Sequence, residues 1–516
     1  MSRSGQLSRA TAAWLLVASC ASLIVGVTVG CKQNPPEQRS ERVSPPGRAD
    51  PLVQHVILIS VDTLRADHLA CYGHPFVKTP NIDRLASEGM LFEQHISAAP
   101  TTLNSHTSIM TGTYPHTHGV PRNEFQVHDD NVMLAEVLKE AGFTTAAFIG
   151  AMPLHSQFNF AQGFDHYDEQ FDDSSESGAV DQAQRPAERV NQAVSAWLAG
   201  VQFERLFLFV HYFDVHWPYR SPEPYARMYR DDTRPMTGSL REIQRVRQGL
   251  RRDPDTVAEE CRILDAMYCG EITYTDHHIG SLMEVLRRRG LYDHALIVLT
   301  SDHGEAMNEH WEHWNHGFST YETTIRTPLI VRQPGGRLAG IRCRELISNI
   351  DVMPTILERL GLSLPNRVEG KSFAALLDGG RIGARGPVFA EATKPEYVPM
   401  GREPRWANEE LCRAIRTQEW KFVRRPAENI CELYDLEADP DEQTNLLLSR
   451  SEDSRILAAD LAAQLAAWDQ AADPLPFRWE IPAHVRELMD SLGYILEDKE
   501  PEAPQATSQP ASETCP

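Results

Sequence analysis

The 516-residue sequence is short of positive charge: 50 Lys and Arg stand against 72 Asp and Glu, a formal net charge of −22. Without a basic surplus there is no electrostatic footprint for a nucleic-acid backbone, which excludes DNA or RNA binding as the main role. Cysteine is sparse. The nine residues are irregularly spaced, two of them in the N-terminal run, which fits neither a zinc ribbon nor a dense disulfide framework. No internal repeat is visible, so solenoids and propellers drop out. Long apolar runs are missing beyond residue 30, which excludes a polytopic membrane protein. With 41% hydrophobic and 24% charged residues, what remains is ordinary globular composition, long enough to bury a large core.

The one uncharged stretch lies between Arg9 and Lys32, TAAWLLVASCASLIVGVTVG, with Arg3 and Arg9 before it. A basic start, an apolar middle and small residues form a secretory pattern, and roughly 20 apolar residues also suffice to span a bilayer once. Cys31 opens the polar linker, as at a bacterial lipoprotein cleavage site. The expected organisation is a signal peptide, lipoprotein or membrane anchor over 1–31 and a flexible linker over 32–54. A catalytic domain follows over 55–380, then a C-terminal subdomain over 381–480 and a terminal segment with a disordered tail over 481–516. The protein is therefore expected outside the cytoplasm, tethered to a membrane through its N-terminus.

Strand and helix signals alternate. HVILISV (55–61), LFLFV (206–210) and ALIVLT (295–300) read as buried strands, with PLIV (328–331) a weaker fourth. Between them TPNIDRLASEG reads as a helix, with Thr79 as cap, Pro80 at its first position and Gly89 as its stop. Ala135–Gly142 and Leu103–Met110 read likewise. This alternation predicts an α/β fold with a mostly parallel sheet flanked by helices. After about residue 380, RAIRTQEWKFVRR and ELYD read as short antiparallel strands and Ser454–Trp468 as a helix, a smaller α+β C-terminal subdomain. Asp172–Glu188 reads as loop. The arginine-rich stretch Ser221–Asp255 has two readings: a solvated helix face, or a lid that attracts an anionic substrate.

Each strong strand ends in metal-capable residues. The first is followed by Asp62, the second by His211, Asp214 and His216, and the third by Asp302 and His303. Ligands bind beyond the carboxyl ends of strands in open α/β sheets, so the three ends converge on one site. Asp and His together suit a divalent ion such as Zn²⁺ or Mn²⁺. Thr102 opens the Leu103–Met110 helix, where free N–H groups and the positive dipole end favour an anion.

These motifs together resemble the sulfatase family of the alkaline-phosphatase superfamily. The resemblance is carried by ILISVDTLRADHLACYG, VKTPNIDRLASEG, the 102–120 segment, VLTSDHGE, HWNHGFSTYETTIRTPLIV, SNIDVMPTILERLGL and ELYDLEADPDEQTNL. It implies an alkaline-phosphatase-like fold and a divalent metal (Zn, Mn or Ca) on Asp62, Thr102, Asp302 and His303. Thr63 replaces the usual second acidic ligand. It places the nucleophile at Thr102, where sulfatases carry a Cys or Ser that becomes formylglycine within Cys-x-Pro-x-Arg. Here the sequence is Thr102-Leu103-Asn104-Ser105-His106, and Gly150-Ala151-Met152-Pro153 replaces Gly-Lys-Trp-His. An unmodified Thr resembles the phosphodiesterase, phosphonate-hydrolase and phospholipid-headgroup-transferase relatives.

On this reading Thr102, His216 and His316 are catalytic, with His316 in the place of a family Lys and His310 and His313 as weaker candidates. His106, His211 and Asp214 contact substrate. The expected substrate is a small anionic ester, a glycan or a lipid head group, and the expected reaction is hydrolysis or transfer of phosphate esters or phosphonates. Sulfate-ester hydrolysis and non-catalytic binding of an anionic ligand are the alternatives.

Overall fold

In the computed structural model, residues 49–171, 184–231, 234–310, 313–383, 385–392, 412–426, 429–476 and 478 are described. The N-terminal run, the linker through residue 48 and the tail beyond 478 lie outside them. Eight strands form one sheet: β1 (His55–Val61), β2 (Met90–Ile96), β3 (Thr144–Phe148), β4 (His166–Asp168), β5 (Leu206–Tyr212), β6 (Ala295–Thr300), β7 (Arg326–Arg332) and β8 (Ile341–Ser348). Their order is β4-β3-β5-β1-β6-β7-β2-β8. All neighbours are parallel except β7, which runs antiparallel to both β6 and β2.

The β1 sequence is apolar throughout because both faces are covered. Ile57, Ile59 and Val61 pack on one face against α5 (Ala187–Gly200) and the 31-residue α7 (Ala258–Arg288). Val56 and Leu58 point to the opposite core, with Leu103 of α2 (Thr102–Thr111) and Leu134 and Leu138 of α4 (Leu134–Glu140). The alternation is the two-residue period of a strand.

Helix α1 (Pro80–Glu88) forms where the sequence places it, but Thr79 does not cap it. Asp276 of α7 does so instead, accepting the Ile82 N–H at 2.8 Å and the Asn81 N–H at 3.0 Å. Thr79 Oγ1 turns to Asp83. The segment read as loop through Glu188 already enters α5 at Ala187. Within the arginine-rich stretch, Leu240–Arg252 forms a helix, α6.

A second sheet follows, with order β12-β11-β10-β9: β9 (Val388–Ala392), β10 (Cys412–Arg416), β11 (Trp420–Arg425) and β12 (Ile430–Asp435). It is antiparallel throughout. The helix Glu452–Gln470 covers one face through Ala458, Leu461 and Leu465.

Candidate active site

Register brings the strand ends together. Ser60 of β1 lies beside His211 of β5 on one side and Thr300 of β6 on the other. The residues that follow, Asp62 and Asp302, therefore emerge at one level of the carboxyl edge. Asp62, Thr102, Asp302 and His303 are all fully buried there. Ligand-capable atoms of Asp62, Asp302 and His303 all lie within 4.8 Å of one another. The Thr102 hydroxyl donates to Asp62 Oδ2 at 3.4 Å.

Helix α2 holds Thr102 in place. Its N-cap is Thr101, so Thr102 is the first helical residue, and Gly112 closes the helix at a φ of 68°. That left-handed conformation suits a residue without Cβ. The Leu103 N–H is taken by Asn123 Oδ1 at 2.8 Å. His106, one turn on, donates Nδ1–H to the Thr102 carbonyl at 2.7 Å, while its Nε2 meets the Ser60 hydroxyl at 2.8 Å. Both ring nitrogens are thus occupied, although Nδ1 also lies 3.6 Å from Asp302 Oδ2.

The tautomers follow from their partners. His303 donates Nδ1–H to the Gly304 carbonyl at 2.8 Å, leaving the Nε2 lone pair 3.5 Å from Asp302 Oδ2 and 3.9 Å from Asp62 Oδ1. His211 accepts the Gly150 N–H at Nδ1, so Nε2 carries the proton and lies 3.4 Å from Asp62 Oδ2. His303 is arranged as a ligand, while His211 Nε2 faces Asp62 at 3.4 Å without a hydrogen-bond partner.

The electrostatics call for a cation. Burial pushes the Asp62 carboxyl up to about 7, against the opposing pull of His303, and also raises that of Asp302, where the Asp62 charge adds to the effect. Burial holds His106 down at about 3 and His211 at about 4. Among the described residues the ion-pair partners of both carboxylates are histidines only. Asp62 Oδ1, Asp302 Oδ2 and His303 Nε2 are buried without a hydrogen-bond partner. Two carboxylates, one imidazole lone pair and a hydroxyl form a donor set suited to a divalent ion.

His216 and His316 stand beside this group. The His316 ring is 4.5 Å from that of His303 and 5.0 Å from that of His216, centroid to centroid. Its Nδ1 lies 3.3 Å from Glu305 Oε1. His216 donates from Nδ1 to the Trp217 carbonyl and stacks on Phe213. Asp214, expected at the substrate, is turned elsewhere: Oδ2 accepts the Ala187 N–H at 2.8 Å, at the start of α5. His310 stacks on Tyr321, and the His313 carbonyl is taken by Arg247.

The family model described as Sulfatase matches residues 54–362, more than half of the chain. The chain belongs to the sulfatase family. A second model, N-sulphoglucosamine sulphohydrolase, C-terminal, matches residues 310–471. Among curated relatives, an arylsulfatase of Clostridium perfringens is 27% identical over 459 residues, covering 78% of this chain and 92% of that protein. The multifunctional alkaline phosphatase superfamily protein PehA of Trinickia caryophylli is 28% identical over 401 residues, 64% of this chain and 78% of that protein. The fold is shared with the phosphonate monoester hydrolase of Agrobacterium radiobacter, with a TM-score of 0.65 at 24% identity, covering 80% and 95% of the two chains. This sulfatase-family member is accordingly an ester hydrolase of the alkaline-phosphatase superfamily.

Three site neighbours escaped the sequence reading of this sulfatase-family chain. Ser60 is hidden within a β1 run that reads as pure core, and Glu305 within the loop after β6. Asn123 lies 20 residues beyond Leu103, with no local pattern linking the two.

Proposed function

We propose that the enzyme cleaves phosphate esters or phosphonates with Thr102 as an unmodified nucleophile. The observation that carries this reading is the Thr102 hydroxyl at the start of α2, 3.4 Å from Asp62 Oδ2 and beside the unpartnered carboxylate and imidazole atoms. A divalent ion held by Asp62, Asp302, His303 and Thr102 would supply Lewis-acid stabilisation of the charge that develops on the transferred group. Zn²⁺ or Mn²⁺ suits a site with an imidazole donor and Thr63 in place of a further carboxylate.

Asp62 Oδ2 takes the Thr102 hydroxyl proton as Oγ attacks phosphorus. The P–Oγ bond forms and the bond to the leaving oxygen breaks, with a proton passing to that oxygen from Nε2 of His316. Glu305 fixes the ring of His316 through Nδ1. His216 stands next to it as the second proton carrier. Water then attacks phosphorus, giving a proton to His316, and the P–Oγ bond breaks as Asp62 returns its proton to Thr102 Oγ. His106 and His211 orient Thr102 and Asp62 from behind.

Phosphorus is favoured over sulfur on chemical grounds. A hydrated formylglycine expels sulfate by collapsing to the aldehyde, and Thr has no second hydroxyl with which to do so. His106 in place of the motif Arg and Ala151 in place of the motif Lys point the same way. Sulfate-ester hydrolysis remains the second reading, supported by the similarity to the arylsulfatase of Clostridium perfringens. The residues before 55 support export and a membrane tether. Among the described residues no helix is long and apolar enough to cross a membrane.

The test is turnover of aryl phosphomonoester, phosphodiester, phosphonate and sulfate by purified 33–516 protein with Mn²⁺, Zn²⁺ or Ca²⁺ added. At least one phosphorus ester should exceed the sulfate. Aryl sulfate turning over faster than every phosphorus ester would overturn the proposal.

A further inference from the structure

We propose that Tyr268 is a positioning residue for the metal ligands, holding Thr63 in a left-handed conformation from which the Thr63 N–H sets the rotation of the Asp302 carboxylate. This rests on the reading above that Asp62, Asp302 and His303 hold a divalent ion, and adds the residue that shapes the ligand set from behind.

On α7, Leu264, Tyr268 and Ile272 recur at i, i+4 and i+8, and all three are buried. By its spacing Tyr268 is one more core aromatic. A buried phenol still needs partners for its hydroxyl. That of Tyr268 donates to the Thr63 carbonyl at 2.8 Å and accepts the Arg65 N–H at 3.1 Å. It therefore brackets the turn that begins directly after Asp62. The ring is fixed in place by edge contacts with His68 and Tyr219, at centroid distances of 5.2 and 5.9 Å.

Thr63 carries the strain. Its φ is 54°, a region that a β-branched side chain rarely enters. Its own side chain offers no compensation, since Oγ1 is buried without a hydrogen-bond partner. The compensation lies in the backbone. The Thr63 N–H donates to Asp302 Oδ1 at 3.2 Å, and the carbonyl is held by Tyr268. The rotation that relates these two groups is φ itself. The preceding residue is fixed, because the Asp62 N–H donates to the Tyr212 carbonyl at 2.9 Å. At a negative φ the Thr63 N–H and carbonyl could not reach both partners. Asp302 Oδ1 also accepts the His303 N–H at 2.8 Å, whereas Oδ2, 3.5 Å from His303 Nε2, has no hydrogen-bond partner. Two N–H donors on one oxygen decide which oxygen is left for a cation. Loss of the Thr63 donor frees the carboxylate to turn.

The experiment measures Zn²⁺ affinity of the full-length protein by competition with a chromophoric chelator. It also records the visible absorption of the Co²⁺-loaded protein, whose bands report ligand geometry. Tyr268→Phe keeps the ring and removes the bracket. It should weaken Zn²⁺ binding at least about tenfold, the scale for a residue behind a metal ligand, and shift the Co²⁺ bands. Thr63→Gly adopts a positive φ with no Cβ penalty, so it should bind Zn²⁺ within about threefold of wild type, and in that background Tyr268→Phe should cost less than about threefold. The melting temperature should instead fall alike in both backgrounds, because the Arg65 N–H loses its acceptor in each. Thr63→Val, which keeps the branch and drops the unpartnered hydroxyl, should match wild type. A Y268F variant with wild-type affinity and spectrum overturns the proposal, as does an equal affinity loss in both backgrounds. So does a loss of about tenfold in T63V, which would make Thr63 Oγ1 a ligand. A wild type that takes up neither ion removes the metal reading and the inference with it, whereas wild-type uptake beside an unchanged Y268F removes the inference alone.

Discussion

The Thr102 hydroxyl lies 3.4 Å from Asp62 Oδ2, joining the first turn of α2 to the end of β1. The contact spans 40 residues of chain. It exists because two buried devices converge on it. His106 clamps the Thr102 carbonyl from within the helix and is itself held by Ser60, two residues before Asp62. His211 faces Asp62 Oδ2 from β5. Nucleophile and acidic partner are therefore positioned by groups that burial keeps uncharged, so the site's negative charge is left for a bound cation.

Removing the hydroxyl should remove the chemistry. Thr102→Ala should lower kcat at least about a thousandfold, or ~4 kcal/mol at 1.36 kcal/mol per tenfold, with folding intact. Thr102→Ser, which keeps the oxygen, should retain measurable turnover. Steady-state kinetics with an aryl phosphonate checks both, and rapid acid quenching followed by mass spectrometry should find the covalent ester on Thr102 in wild type. An alanine variant with full activity would exclude the mechanism.

Metal content should depend on Asp302. Its Oδ1 accepts the N–H groups of Thr63 at 3.2 Å and His303 at 2.8 Å, whereas Oδ2 has no hydrogen-bond partner. Asp302→Asn keeps the shape of the group but removes its charge. Bound divalent metal, measured by elemental mass spectrometry after gel filtration, should fall at least about tenfold, the scale of a lost contact in a metal site. Circular dichroism should remain that of wild type. Stoichiometric metal in the variant would rule out Asp302 as a ligand.

Much of this site was legible because burial makes strong patterns. HVILISV, LFLFV and ALIVLT stand out since central parallel strands are apolar on both faces, and the polar residues directly after them stand out by contrast. Strand β8 was missed because its first half, IRCRE, is largely exposed at the sheet edge. Strand β3, TTAAF, is short and has only one large apolar residue, Phe148. The cap of α1 comes from Asp276, 194 residues after Ile82, a distance no local rule spans. Asp214 looked like a site residue because it follows β5 between two histidines. A turn at that point directs its carboxylate to α5 instead. The loop after β6 gave up Asp302 and His303 through their motif, but not Glu305, whose value lies in its contact with His316.

His106 separates positioning from ligation. It belongs to one ligand-capable group with His211 and Asp302, yet both its nitrogens have hydrogen-bond partners. His106→Gln should therefore bind metal at wild-type stoichiometry while kcat drops by about ten- to a hundredfold through misplacement of Thr102, the range expected when a reacting group is shifted. Metal titration followed by kinetics decides the matter. Loss of metal in the variant would make His106 a ligand.

The pH dependence of stability should show at His116, where α3 (Pro115–His118) meets β9. The His116 N–H and Nδ1 both contact Glu391 Oε1, at 2.8 and 2.9 Å, in a nearly dry setting against the Trp468 ring. Burial opposes the imidazolium, but the Glu391 charge outweighs it and holds His116 above its usual value of 6.5. Burial likewise opposes the Glu391 carboxylate, while His116 and then Arg413 bring it down to about 2. A raised histidine contributes stability below 6.5 and loses it as pH rises through its folded value. A depressed carboxylate contributes above 4.5 and loses it as pH falls towards 2. The pair is therefore strongest between about pH 4.5 and 6.5, where both conditions hold. His116→Gln should cost about 1.5–3 kcal/mol in that window, the scale of a hydrogen bond to a charged group, since Arg413 still faces Glu391. The gap from wild type should narrow on both sides, as Glu391 protonates in acid and as His116 loses its proton in base. Urea unfolding of the two proteins from about pH 3 to 9 measures it, and a gap that does not change with pH would mean the contact is a neutral hydrogen bond.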